Sequence, residues 1–177
     1  FLSYAAAYPD AEKVYRASGM RLAVDSAAAY LVAPEARSRA GGLRCLGSKG
    51  SSALSGPAAA AAKITKNAMA PAAEAEAGAL LASAQLAAPM RVELEELGHP
   101  QPAAPVKTGS STASGAMHGT TKQQRSKAIG MRLCWLKGRA EQGQFKIYWA
   151  PGDESWAGYF AKHHSGAHHQ VLRPCYL

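Results

Sequence analysis

Arg125, Arg132 and Arg139 recur every seven residues, with Lys122 and Lys127 on either side of the first. On a helix that period keeps the three guanidinium groups to one side, and such a row can follow a phosphate backbone. A solvated helix face carries the same pattern. A second group is HHSGAHH, His163 to His169. Imidazole is a common transition-metal ligand, but this spacing fits no standard zinc motif. Cys45, Cys134 and Cys175 lie far apart in the chain, so they imply neither a zinc site nor a disulfide framework and fit a reducing compartment. A third candidate is a place rather than a cluster. Val106 to Thr108 reads as a strand that stops at the Gly109, Ser110, Ser111 turn and feeds a helix, and α/β sheets put their chemistry at the carboxyl ends of strands.

These residues need elements to hold them, and the pattern supplies an alternating set. Phe1 to Arg16 reads as a short helix broken at Pro9. Met20 to Leu31 alternates as a strand, Ala33 to Glu35 turns, and Ala40 to Leu46 reads as a second, weak strand. Gly47 to Pro57 is loop, and the alanine run after Ala58 favours helix or nothing definite. Ala72 to Ala88 is a helix with Ala73, Ala77, Leu80, Leu81 and Ala84 along one side, and Pro89 marks its kink or end. Met90, Leu94 and Leu97 keep helical spacing up to Gly98, which stands where a C-terminal cap belongs. Gln124 to Gln142 carries an apolar stripe of Ile129, Leu133, Leu136 and Ala140 with Gly143 as its stop. Phe145 to Trp149 is a last strand, and Ser155 to Lys162 can form a short helix. Trp135 and Trp149 are expected in the core, and Tyr148 is open. Strands and helices in this order make an α/β arrangement.

Composition narrows the function classes. The chain has 177 residues, enough for one ordinary domain, and its start at Phe1 suggests a piece of something longer. Much of its 47% hydrophobic content is alanine. Leu, Ile, Val and Phe together fall below the roughly 20% line associated with disorder at high net charge, so thin core packing is expected. A net charge of +8 and a pI near 9.6 favour a polyanionic partner, nucleic acid before a membrane surface. No apolar run approaches the roughly 20 residues needed to span a bilayer, and Phe1 to Ala7 lacks the basic start of a signal peptide. An intracellular place, cytoplasmic or nuclear, is expected.

The runs LEELGHPQP from Leu94, KTGSSTASG from Lys107 and KQQRSKAIGMRLCWLKGRAEQGQFKIYWAPGDESWAGYFAKHH from Lys122 resemble the ribonuclease H domain of Ty1/copia-type retrotransposon polyproteins. The usual forms there are approximately TDNSTA, KQRRSKAIDMRFYW, GQF and NLADYFTKHH. The resemblance is specific from Leu94 to the end and looser, though in order, from Met20 to Leu86. It implies a ribonuclease H-like mixed sheet flanked by helices, with a poorly formed N-terminal half and a third strand within Ala58 to Met69. Residues 1–19 would then be a connecting segment after a reverse transcriptase, 20–162 the domain, and 163–177 a His-rich tail. It also implies an RNA/DNA hybrid or duplex as partner and magnesium as the family's cofactor.

In that family four acids converge on two divalent cations. A pair of ions about 3.5 to 4 Å apart clamps the attacking water and the leaving oxygen of a phosphodiester. By the resemblance, the four positions here are Ala27, Glu74, Gly109 and Gly158, and only Glu74 is still acidic. Asp-Asn-Ser has become Gly109, Ser110, Ser111, and Ile-Asp-Met has become Ile129, Gly130, Met131. Asp to Gly and Asn to Ser are single adenine-to-guanine changes, a pattern that decay explains well and that a repurposed binding fold would share. Neighbouring acids do not restore the cluster on this reading. Asp25 faces the same side as Ala27 but is displaced by about 6 to 7 Å, Glu76 points well around the helix from Glu74, and Asp153 and Glu154 precede Gly158 by about a turn. Asp25, Asp153 and Glu154 then read as solvated turn and surface charge.

The reading is therefore a degenerate retrotransposon ribonuclease H-like domain, without cleavage and with no retained cofactor. At most it binds nucleic acid through Lys122, Arg125, Lys127, Arg132 and Arg139. The alternatives are an active magnesium-dependent ribonuclease for RNA/DNA hybrids, and a module that grips nucleic acid without cutting.

Overall fold

The structure, a computed structural model, describes residues 2–49, 56–65, 72–118 and 127–176. Its centre is a five-stranded mixed sheet in the order β3-β2-β1-β4-β5. The strands are β1 (Arg21–Ala33), β2 (Arg37–Gly47), β3 (Pro57–Ile64), β4 (Ala104–Thr108) and β5 (Phe145–Trp149). The first three form an antiparallel meander, and β4 and β5 add in parallel on the other side of β1. The helices are α1 (Leu2–Ala7), α2 (Ala72–Glu96), α3 (Ser111–Met117), α4 (Lys127–Glu141), α5 (Gly158–Ala161) and α6 (Gly166–Tyr176), with a single 3-10 turn at Gly152–Glu154.

Alternation along β1 separates the two faces of the sheet. Leu22 and Val24 join Leu80, Ala84, Val106, Leu133, Leu136 and Ile147 in a core under α2 and α4. Asp25, Ala27 and Ala29 point the other way, where Ala27 and Ala29 meet Leu43, Cys45, Ala157, Ala161 and Tyr176 beneath α5 and α6. Gly41 on β2 makes that second contact possible. A Cβ there would stand 2.5 Å from the Ala157 carbonyl oxygen and 2.8 Å from the Ala161 nitrogen. Only a residue without a side chain lets α5 lie this close.

β3 forms although its own residues argue against it. Ala59 to Ile64 pair with Arg44 to Arg39 of β2, so a partner strand overrides the weak intrinsic preference of alanine. The three N-terminal strands are thus fully laid down, and their thinness lies in the side chains. Pro89 does not end α2, which runs on to Glu96 before Gly98, at φ +85, closes it. Gln101 then fastens the loop to the start of β1, donating to the Met20 carbonyl at 2.8 Å and accepting from the Leu22 amide at 3.0 Å. That clamp delivers β4 alongside β1. α6 lies within the stretch read as a tail, and its Tyr176 hydroxyl donates to the Trp156 carbonyl at 2.6 Å. No helix among the described residues is long and apolar enough to cross a membrane.

Candidate functional site

The parallel register of β1 and β4 sets Asp25 opposite Lys107 and Ser26 opposite Thr108. Both Asp25 and Lys107 point to the α5 side, and the Lys107 ammonium lies 3.1 Å from Asp25 Oδ2. The same oxygen accepts the backbone amides of Trp156 at 2.7 Å and Ala157 at 3.4 Å, while Oδ1 accepts the Ser155 hydroxyl at 3.2 Å. The Lys107 ammonium also donates to the Glu154 carbonyl. A cleft of about 630 Å³ opens beside the pair, lined by Ser155, Trp156, Tyr159, Lys162 and His164 among others.

Asp25 is only 8% exposed, which corrects its reading as a solvated surface charge. The residue is interior because the loop entering α5 closes over it. Burial pushes its carboxyl above the ordinary value, and Lys107 and the two amides pull it part of the way back. Glu76 is also drawn inward rather than left on the outside of α2. It takes a hydrogen bond from the Ala28 backbone, feels Lys162 and Asp25, and is pushed up mainly by burial, with its Oε2 lacking a hydrogen-bond partner. Asp153 and Glu154 are exposed, as expected of turn residues.

The positions implied by the resemblance lie on β1, on α2, at the end of β4 and at the start of α5. Ala27 is 4% exposed and packed into the alanine-rich layer beneath α5. Glu74 sits half-buried in the first turn of α2, about 200° around the helix from Glu76. Gly109 follows β4 and Gly158 opens α5. A Cβ at Gly109 would meet only the Gly152 Cα at 3.9 Å, and one at Gly158 would meet nothing within 4 Å. A Cβ therefore fits at both glycines, while the methyl of Ala27 is already packed into that layer.

The donor set does not suit a pair of divalent ions. Asp25 already receives an ammonium and two amides on Oδ2 and a hydroxyl on Oδ1. Among the described residues no group of three or more His, Cys, Asp and Glu is placed to hold a metal. His164 and His168 stack on each other at 4.3 Å, and His169 packs between the Tyr159 and Tyr4 hydroxyls.

Of the basic row, Lys122 and Arg125 lie outside the described residues, and Lys127 and Arg132 lie on α4. Arg139 is held against the protein, 5.2 Å over the Trp135 ring and donating to Gln144 Oε1 at 3.2 Å. Trp149, expected in the core, is 49% exposed, because it ends β5 beyond the cover of α4 and its indole donates to the Gly109 carbonyl at 3.2 Å. The residue that sequence reasoning missed is Lys107. Its signal was a lysine inside a short strand between Val106 and Thr108, both fully buried.

The strand order, the parallel pair β1–β4 and the placement of the helices define a ribonuclease H-like α/β fold. Among solved structures, the chain is similar to the N-terminal RNase H domain of Rv2228c from Mycobacterium tuberculosis, with TM-score 0.53 and 17% identity over 80% of this chain and 91% of that one. It is similar to LC11-RNase H1, solved in complex with an RNA/DNA hybrid, with TM-score 0.57 and 11% identity over 76% and 88%. RNase H1 from the halophilic archaeon Halobacterium salinarum matches with TM-score 0.50 and 17% identity over 75% and 87%. No protein-family model matches the chain, and no curated protein matches it in sequence. At these identities the likeness is one of fold.

Proposed function

We propose that the chain is a ribonuclease H-like module of Ty1/copia-type retroelement origin that has lost two-metal cleavage and retains at most the binding of hybrid or duplex nucleic acid. The observation that carries this reading is the state of Asp25. It is the acid on β1 that faces α5, and it is already engaged by Lys107 and two amides at Oδ2 and by Ser155 at Oδ1. With glycine at 109 and 158, no further carboxylate enters from β4 or α5 at those positions. The basic row from Lys122 to Arg139 and the net charge of +8 supply the attraction to a polyanion. The place of action on this reading is intracellular, where the element's nucleic acid is met.

The test is release of short fragments from an end-labelled RNA/DNA hybrid with magnesium, with EDTA as control, alongside binding of the same hybrid across a salt series. The expected result is binding that weakens steeply with salt and no metal-dependent cutting. Replacing Arg125 and Arg132 should reduce the salt slope by about one unit per lost phosphate contact. Cleavage by the unmodified chain would establish the active-enzyme alternative instead.

A further inference from the structure

The Lys107 ammonium stands where a cation is needed and is itself one. We propose that Lys107 is the resident cation of this site: its side chain neutralises Asp25 in place of a divalent ion, ties β1 and β4 to the loop entering α5, and makes the centre indifferent to magnesium. This deepens the proposed function by naming what replaced the metal.

Four observations carry it. The register makes Asp25 and Lys107 direct neighbours on parallel strands, so the pair is set by the sheet and not by chance rotamers. Their side chains are 10% and 14% exposed, which removes them from the screening that weakens surface pairs. Lys107 reaches past Asp25 to the Glu154 carbonyl, so one ammonium bridges a strand and a loop, as a bound ion would. Asp25 in turn receives the amides of Trp156 and Ala157 from that same loop. A magnesium ion entering here would have to displace the ammonium while satisfying a demanding octahedral oxygen shell.

The experiment is a Mn²⁺ titration followed by electron paramagnetic resonance, with thermal unfolding in EDTA and in millimolar Mg²⁺ or Mn²⁺, on the full chain. The unmodified protein should show no site in the millimolar range and an unchanged unfolding temperature. Lys107→Met should unfold about 10 °C lower in EDTA, because it strands a buried carboxylate, and should be partly restored by Mn²⁺. The double variant Asp25→Asn with Lys107→Met should recover stability over the single one and lose the response to Mn²⁺. Mn²⁺ binding by the unmodified chain that disappears in Asp25→Asn would overturn the proposal, as would a Lys107→Met protein whose stability Mn²⁺ does not move. Should Lys107→Met fail to fold, the titration of the unmodified chain and of Asp25→Asn decides. A chain that binds Mn²⁺ through Asp25 yet cuts no hybrid defeats this inference and leaves the functional reading standing; a chain that cuts defeats that reading.

Discussion

Arg91 and Arg44 are buried to a similar degree, 6% and 2% exposed, in opposite halves of the sheet, and they meet different surroundings. Arg91, on α2 near β4 and β5, donates to the Pro102 carbonyl at 2.6 Å, to the Gln101 carbonyl at 2.9 Å and to Glu95 at 3.4 Å. Arg44, on β2, has Nε and Nη2 without a hydrogen-bond partner among the described residues, and burial pulls its pKa down. The side chains around them differ in the same sense. The inner half, where β1, β4 and β5 meet α2 and α4, is packed with Leu22, Leu80, Val106, Leu136, Phe145 and Ile147. Under the first turns of α2 the core cluster is Ala28, Ala40, Ala75 and Ala79. Beneath α2 the sheet thus carries two unequal clusters. Branched and aromatic side chains stabilise the inner one, while the alanine cluster depends on backbone pairing.

The contrast is broken or sharpened most strongly by truncation. Leu136→Ala should lower stability by about 2 to 5 kcal/mol, since Leu136 is fully buried and its cavity cannot collapse among close neighbours. Ala60→Gly on exposed β3 should cost about 0.5 to 1 kcal/mol, from backbone entropy alone. Equal losses in chemical denaturation would erase the distinction between the halves. Next in size is Arg44→Met. Replacing a buried guanidinium with two unsatisfied nitrogens among the described residues by an apolar chain of similar length should stabilise by about 1 to 4 kcal/mol, raising the denaturant midpoint. The corresponding Arg91→Met should destabilise, because it leaves two carbonyls without their donor.

The smallest expected effect is a pH dependence. Glu76 has its pKa raised by burial, so the folded state binds its proton more tightly than the unfolded chain. Its contribution is complete below the unfolded value near 4.5 and is lost as pH rises through the higher folded value. Glu76→Gln should flatten the fall in unfolding temperature between mildly acid and neutral pH. A variant whose profile parallels that of the unmodified protein would show that Glu76 is better solvated than its Oε2 indicates.

Much of the fold could be read from periodicity because the inner half is patterned. Phe145, Lys146, Ile147 fixed β5, Leu133 and Leu136 placed α4, and Gly98 and Gly143, at φ +85 and +70, closed their helices as glycines do. Alanine carries no such pattern, so β3 followed from its partner β2 and from no preference of its own. The candidate site was less legible. Asp25 was visible as a carboxylate two residues from Ala27, but its burial depends on α5, which docks only because Gly41 has no side chain. Lys107 could not be paired with Asp25 without the parallel register, a long-range property that neither strand encodes alone.

That register has a consequence for how the chain comes into being. β1 pairs on one edge with β2, which follows it at once, and on the other with β4, which follows only after β3 and α2. A ribosome therefore delivers the alanine meander first. Until Val106 emerges, β1 holds an open edge of amides and carbonyls, the kind of edge to which another nascent chain can add. Closing it requires a long loop before any aliphatic contact rewards the closure. Strands β2 and β3 are thus made before the strands that complete the inner core around β1.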